Sequence, residues 1–121
     1  MTIKNASELD FDERSAFRLA YINYFEASAS ALSDYSFEYK DMLKRWLFSR
    51  SEGYAKKMLR RIEYGQRDAV IGFDKTNRVI GFVVGSIDSV GGEISHLYST
   101  GESFLRKRSN ELKLLRAFSD L

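Results

Sequence analysis

Between Asp68 and Phe118 the chain runs DAVIGFDKTNRVIGFVVGSID, then GGEISHLYS, then FLRKRSNELKLLRAF, an order that leaves few folds open. Ala69 to Phe73 and Val79 to Asp88 are short runs rich in β-branched and aromatic residues. The polar Asp74 to Arg78 between them reads as a hairpin loop. In the second run both alternating sets are apolar: Ile80, Phe82 and Val84 on one side, Val79, Val83 and Ile87 on the other. A strand of that kind is covered on both faces and lies inside a sheet. Gly91-Gly92 turns the chain into Glu93 to Ser99, where Ile94, His96 and Tyr98 alternate with Glu93, Ser95 and Leu97, so that His96 is expected to face away from Glu93. Ser103 to Leu121 closes the run as a basic helix with Leu105, Leu112, Leu115 and Phe118 on one stripe.

Upstream, helical spacing replaces alternation. Ile3 to Ala6 is a short extended start. Ser7 or Asp10 can cap the next helix, Asp10 and Glu13 having the spacing of a capping box. Phe17, Ala20, Tyr21, Tyr24 and Phe25 give that helix an apolar, aromatic face over about four turns, and the Ser/Ala-rich Ser28 to Ser36 reads as a connection. Phe37 to Tyr64 is a second helical region carrying Met42, Leu43, Trp46, Leu47, Tyr54, Met58, Leu59 and Ile62. Gly65 is its natural stop, and Gly53 marks a bend or a division into two helices.

A chain of 121 residues forms one domain, 1–121, and nine Phe with seven Tyr supply ample core. With no cysteine, disulfides and thiolate chemistry are excluded, and one histidine argues against a zinc site, so no metal is expected. The longest apolar run, Val79 to Gly85, is too short for a membrane span, and MTIKNASELD has no signal-peptide pattern, which makes a cytoplasmic protein the expectation. A formal net charge of +2 is too small to argue by itself for nucleic acid, which is not the expected partner. The charges do cluster: Lys56, Lys57, Arg60, Arg61 and Arg67 read as a solvated helix face, and Arg106, Lys107, Arg108, Lys113 and Arg116 lie on the last helix.

The order of these elements resembles the GNAT superfamily of acetyl-CoA-dependent N-acetyltransferases. Ile3-Lys4-Asn5-Ala6, Asp10 and the aromatic helix look like that family's opening. Glu93-Ile94-Ser95-His96-Leu97-Tyr98-Ser99 is similar to its strand of the form E-I-x-x-L-Y-V. Arg106 to Leu115, RKRSNELKLL, lines up with the family's R-G-K-G-I-G-K-K-L-L, with Lys107, Ser109 and Glu111 where glycines or a small residue are usual. The resemblance implies an α+β fold, the N-terminal part of a GNAT-like domain, with a mixed or antiparallel sheet and helices packed on its faces. It covers nearly the whole chain but only the first two-thirds of a usual family domain. The strands and the tyrosine general acid that follow in the family have no counterpart, and the last strand should offer an unpaired edge.

By that resemblance acetyl-CoA is the cofactor, the backbone of Leu97, Tyr98 and Ser99 aligns its pantetheine arm, and Arg106, Arg108, Ser109 and Asn110 meet its pyrophosphate. Glu93 is the candidate base that takes the amine proton. Backbone amides approach phosphates closely where glycine permits it, so the substituted loop weakens that contact, and Glu111 would repel phosphate if it pointed inward. His96, beside Ile94 and Tyr98, reads as a packed or hydrogen-bonded core residue. Two functions stay open. One is an N-acetyltransferase whose activity is impaired or depends on dimerisation. The other is a catalytically inactive, GNAT-derived binding or regulatory module, its open sheet edge covered by a second copy or another protein.

Overall fold

The computed structural model describes the backbone of residues 1–33, 40–88 and 90–121, and the side chains of 1–27, 52–88 and 90–121. Strand β1 (Thr2–Asn5) leads through a 3-10 turn (Ala6–Glu8) into helix α1 (Phe11–Ser33). Helix α2 (Lys40–Glu63), strands β2 (Asp68–Phe73), β3 (Val79–Ile87) and β4 (Gly92–Ser99), and helix α3 (Phe104–Ser119) follow. The sheet order is β1-β2-β3-β4, every pairing is antiparallel, and the fold class is α+β. Helices α1 and α2 pack on one face of the sheet and α3 on the other.

The entry to α1 follows the expected capping box. The Glu13 amide donates to Asp10 Oδ1 at 2.8 Å, and the Asp10 amide donates to Glu13 Oε1 at 3.0 Å. Glu13 is buried, and Lys4 Nζ lies 2.6 Å from its Oε2, tying β1 to the helix start. That bond holds the Lys4 ammonium above its ordinary pKa. Helix α1 does not end before Ser28: it continues to Ser33, because alanine is the strongest helix former and neither glycine nor proline interrupts the Ser/Ala run. Nor does Gly53 divide α2, which is continuous from Lys40 to Glu63. The buried ridge of Ala55, Met58, Leu59 and Ile62 outweighs the cost of about 1 kcal/mol for one interior glycine. Gly65 stops the helix as expected: it takes φ +73°, its amide donates to Ile62 O, and the Gln66 amide donates to Arg61 O, the Schellman arrangement. The expected start of this region at Phe37 and the side chains of Met42, Leu43, Trp46 and Leu47 lie outside the described residues.

Two irregularities decide which way the sheet's side chains point. Gly72 pairs with Gly81 but Phe73 with Val79, so Ile80 is an extra residue in β3. Val79 consequently packs with Phe82 and Val84 on the α1/α2 face rather than with Val83 and Ile87, as strict alternation predicts. Likewise Val84 pairs with His96 but Gly85 with Ile94, so Ser95 is extra in β4. An inserted residue reverses the parity of everything beyond it. Ser86 pairs with Glu93, which puts Glu93 on the same sheet face as Val84 and His96, not the opposite one.

Helix α3 is capped by Ser103, whose Oγ accepts the Arg106 amide at 3.2 Å. Its buried residues are Asn110, Leu114 and Phe118. An added Cβ on Gly72 or Gly81 would meet Leu114 at 3.3 and 2.5 Å, so this leucine fills the hollow over that glycine pair. The expected stripe is therefore corrected. Leu105 and Leu112 lie about half a turn of the helical wheel from Leu114 and face outward, 77% and 58% exposed.

Candidate functional site

Strand β4 pairs with β3 alone, so among the described residues its other edge carries no strand. The Thr100 amide donates to Ile80 O at 2.8 Å, which sets the alternation along the pair. Tyr98 and His96 spend their backbone groups on β3, and Leu97 and Ser99 turn theirs to the open side. Of the three residues expected to offer backbone there, two do. Tyr98 instead contributes its ring, 5.3 Å from Phe82 and 6.0 Å from Tyr24, to the α1 face.

Past Ser99, which is itself buried, the chain enters a cleft of about 650 Å³ lined by Met1, Lys75, Ile80, Thr100, Glu102, Arg106 and Asn110 among others, with neither Leu97 nor Ser99 in its lining. The antiparallel connections create it, because the end of β4 lies beside the start of β3 and the β2–β3 loop. Asn110 is buried and its Nδ2 donates to Thr100 O at 2.9 Å, fixing the β4–α3 loop. Gly101 packs against the first turn of α3, where a Cβ would lie 2.5 Å from the Lys107 amide nitrogen. Asp74 also lines the cleft, but its carboxylate is turned into its own loop, accepting from the Arg78 amide and from the amide and hydroxyl of Thr76. Those bonds, the Arg78 amide first, hold its pKa below the usual carboxylate value.

The structure brings Arg106 and Asn110 to the cleft. It leaves Arg108 and Ser109 a turn into α3, Arg108 lying 3.8 Å from Glu111. Ser109 and Asn110 do not cap the helix, since Ser103 does. Lys75, Thr100 and Glu102 join the cleft without having been singled out. Only the folded β2–β3 loop brings Lys75 there, and the one sequence signal for the others is Gly101 between strand and helix.

Glu93 sits at the opposite end of β4 and is exposed. Ser99 lies six positions further along the strand, about 20 Å of extended chain. On the same face, His96 is enclosed by aromatic side chains. Its Nδ1 lies 3.0 Å from the Tyr21 hydroxyl, and Phe25, Tyr54 and Tyr24 present ring edges at 4.8 to 6.1 Å. Burial pushes the Tyr21 phenol well above its usual pKa, so the hydrogen bond joins a neutral hydroxyl to the imidazole, its direction set by which ring nitrogen carries the proton. That is the packed, hydrogen-bonded histidine the sequence suggested.

Burial first, and then Arg67, lower the His96 pKa from its ordinary 6.5. The unfolded chain therefore takes up a proton before the folded chain does, and stability rises with pH across that interval. The contribution of neutral His96 is complete above pH 6.5 and is lost as the pH falls through the depressed folded value. We expect a lower urea midpoint at about pH 5.5 than at about pH 7.5. His96→Gln should flatten the difference, and an unaltered difference in that variant would assign it to another group.

Among the described residues no three His, Asp or Glu side chains converge as metal ligands, and no helix is long and apolar enough to cross a membrane. No family model matches the chain, and neither the curated proteins nor the solved structures give a match.

Proposed function

We propose that this domain binds acetyl-CoA along the open edge of β4 and transfers the acetyl group to an amine, in the manner of the GNAT-like N-acetyltransferases its sequence resembles. The observation that carries this reading is the unpaired outer edge of β4 at Leu97, followed two residues beyond the strand by a cleft at the start of α3 that holds Lys75 and Arg106. Unpaired strand groups suit the amides of a pantetheine arm, and two cations suit a pyrophosphate. Asp74 is engaged within its own loop, which leaves Glu102 as the acid opposing that charge. Glu111, paired with Arg108 on α3, does not line the cleft. Acetyl-CoA would supply the activated acyl group. Glu93, about 20 Å along β4 from the cleft, would accept the proton of the attacking amine.

Calorimetric titration tests this. Saturable binding of acetyl-CoA below about 1 mM is expected. Arg106→Ala should weaken it by about tenfold, the loss of one charge-assisted contact. Glu93→Gln should lower turnover with little change in affinity. Absence of heat at millimolar acetyl-CoA would end the reading.

A second reading, a binding module without catalysis, is favoured by the outward Leu105 and Leu112 of α3 together with the open β4 edge. Its occupant is a second copy of the chain, which would also serve the dimer-dependent enzyme. Light scattering giving a monomer at high concentration, unchanged by Leu105→Glu, would remove it.

A further inference from the structure

Among the described residues α3 alone covers its side of the sheet, burying Asn110, Leu114 and Phe118. The opposite side of the helical wheel carries Leu105, Arg108, Leu112 and Arg116, with Phe104 and Lys113 at its margins. Phe104, Leu105 and Leu112 are 75%, 77% and 58% exposed, and Arg108, Lys113 and Arg116 are exposed beside them. The five cations of α3 stand against one carboxylate, Glu111, which lies 3.8 Å from Arg108. Lys113 and Arg116 have no ion-pair partner among the described residues. The whole chain carries only +2, so everything outside α3 is net negative. Positive charge and exposed carbon are thus gathered on one convex face. Acetyl-CoA at the β4 edge makes no use of it, and a second copy packed on Leu105 and Leu112 would bring nothing to match the cations.

We propose that the outer face of α3 docks on an anionic lipid bilayer, the helix lying in the plane of the membrane surface. Phe104, Leu105 and Leu112 sink toward the acyl boundary while Arg108, Lys113 and Arg116 meet the anionic headgroups. The long stems of these cations keep their charge at headgroup level as the leucines between them go deeper. Leu105 to Leu112 extends about 10 Å and the whole helix about 24 Å, which makes a lateral anchor and not a span. The net-negative remainder is repelled by the same surface, which orients the domain with α3 toward the lipid. An acidic peptide helix is a poorer match, because a single convex helix offers no groove to seat it. A nucleic acid would take the cations but leave three large apolar side chains in water.

The test is co-sedimentation with phosphatidylcholine vesicles containing about one-third phosphatidylserine, beside phosphatidylcholine alone, at roughly 0.1 M salt. The expected result is half-maximal binding at about 1 mM accessible lipid or below on the anionic vesicles, and binding about tenfold weaker or more on the neutral ones. Lys113→Glu/Arg116→Glu should weaken it about fivefold or more, as should Phe104→Ser/Leu105→Ser. Raising the salt to about 0.5 M should do the same to the unaltered chain. Equal binding to both vesicles, an affinity unmoved by salt or by either double variant, or no binding at about 1 mM lipid would overturn the proposal. So would a solution dimer that does not bind vesicles, which gives the face to a second copy, or tighter binding of an acidic peptide or an oligonucleotide. Circular dichroism of the variants should match the parent, since all four changed side chains are exposed. Neither Lys113 nor Arg116 lines the cleft, so the acetyl-CoA titration of that double variant should be unaltered, and lipid docking and acyl-group binding stand or fall separately.

Discussion

Replacing Gly85 with alanine is expected to cost about 3 kcal/mol or more, a large part of the 5–15 kcal/mol available to a domain of this kind. The glycine lies on the α3 face of β3, opposite Ile94. A methyl group there would be driven into the carbonyl oxygen of Glu93 and would stand 2.9 Å from Phe118 Cζ. The first obstacle is backbone, which cannot rotate aside as a side chain can. The bulge at Ser95 brings that carbonyl over the glycine, so relief requires β4 to shift its register or leave the sheet. Gly53→Ala is the control: nothing lies within 4 Å of its added Cβ, and it sits inside α2, so it should gain about 1 kcal/mol. Urea unfolding of both variants decides the matter. A parental midpoint for Gly85→Ala would mean that β3 and β4 do not pair in this register.

The same bulge explains why the strands were legible in the sequence and their facing was not. Alternation and β-branched content locate β2, β3 and β4 between Asp68 and Ser99, because those signals are local. One extra residue at Ile80 and another at Ser95 reverse the side-chain parity, and neither residue type marks a bulge. Glu93 and His96 therefore fall on one face although counting by twos separates them. The Asp10/Glu13 capping box and the Gly65 stop are short-range chemistry and were readable. So was the start of α3, expected at Ser103 and capped there. The leucines of α3 divide for a tertiary reason instead. Leu105 and Leu112 form a regular stripe, but the hollow made by the Gly72–Gly81 pair selects Leu114 instead. Lys75 reaches the cleft only through pairing of β2 with β3, which no local pattern encodes.

Phe82→Ala should be the most damaging change on the opposite face, costing about 3–5 kcal/mol. Phe82 is fully buried, and its ring lies 5.3 to 5.7 Å from those of Phe17, Tyr21, Tyr24 and Tyr98. Three of these come from α1 and one from β4, so a single side chain joins the first helix to the edge strand. Most of the loss is transfer free energy and the cavity left behind, with smaller contributions from the edge-on ring geometry. Tyr21→Phe separates packing from polarity in the same cluster. It keeps the ring but removes the hydroxyl hydrogen-bonded to His96 Nδ1, for about 1 kcal/mol. Phe82→Leu, which retains much of the volume, should fall between the two. Urea midpoints at about pH 7.5, where His96 is neutral, give the ranking. A Phe82→Ala cost below about 1 kcal/mol would mean that α1 is not seated on β3. The aromatic enclosure of His96 and the shape of the β4 edge would then both need revision, because each depends on that helix being held against the sheet.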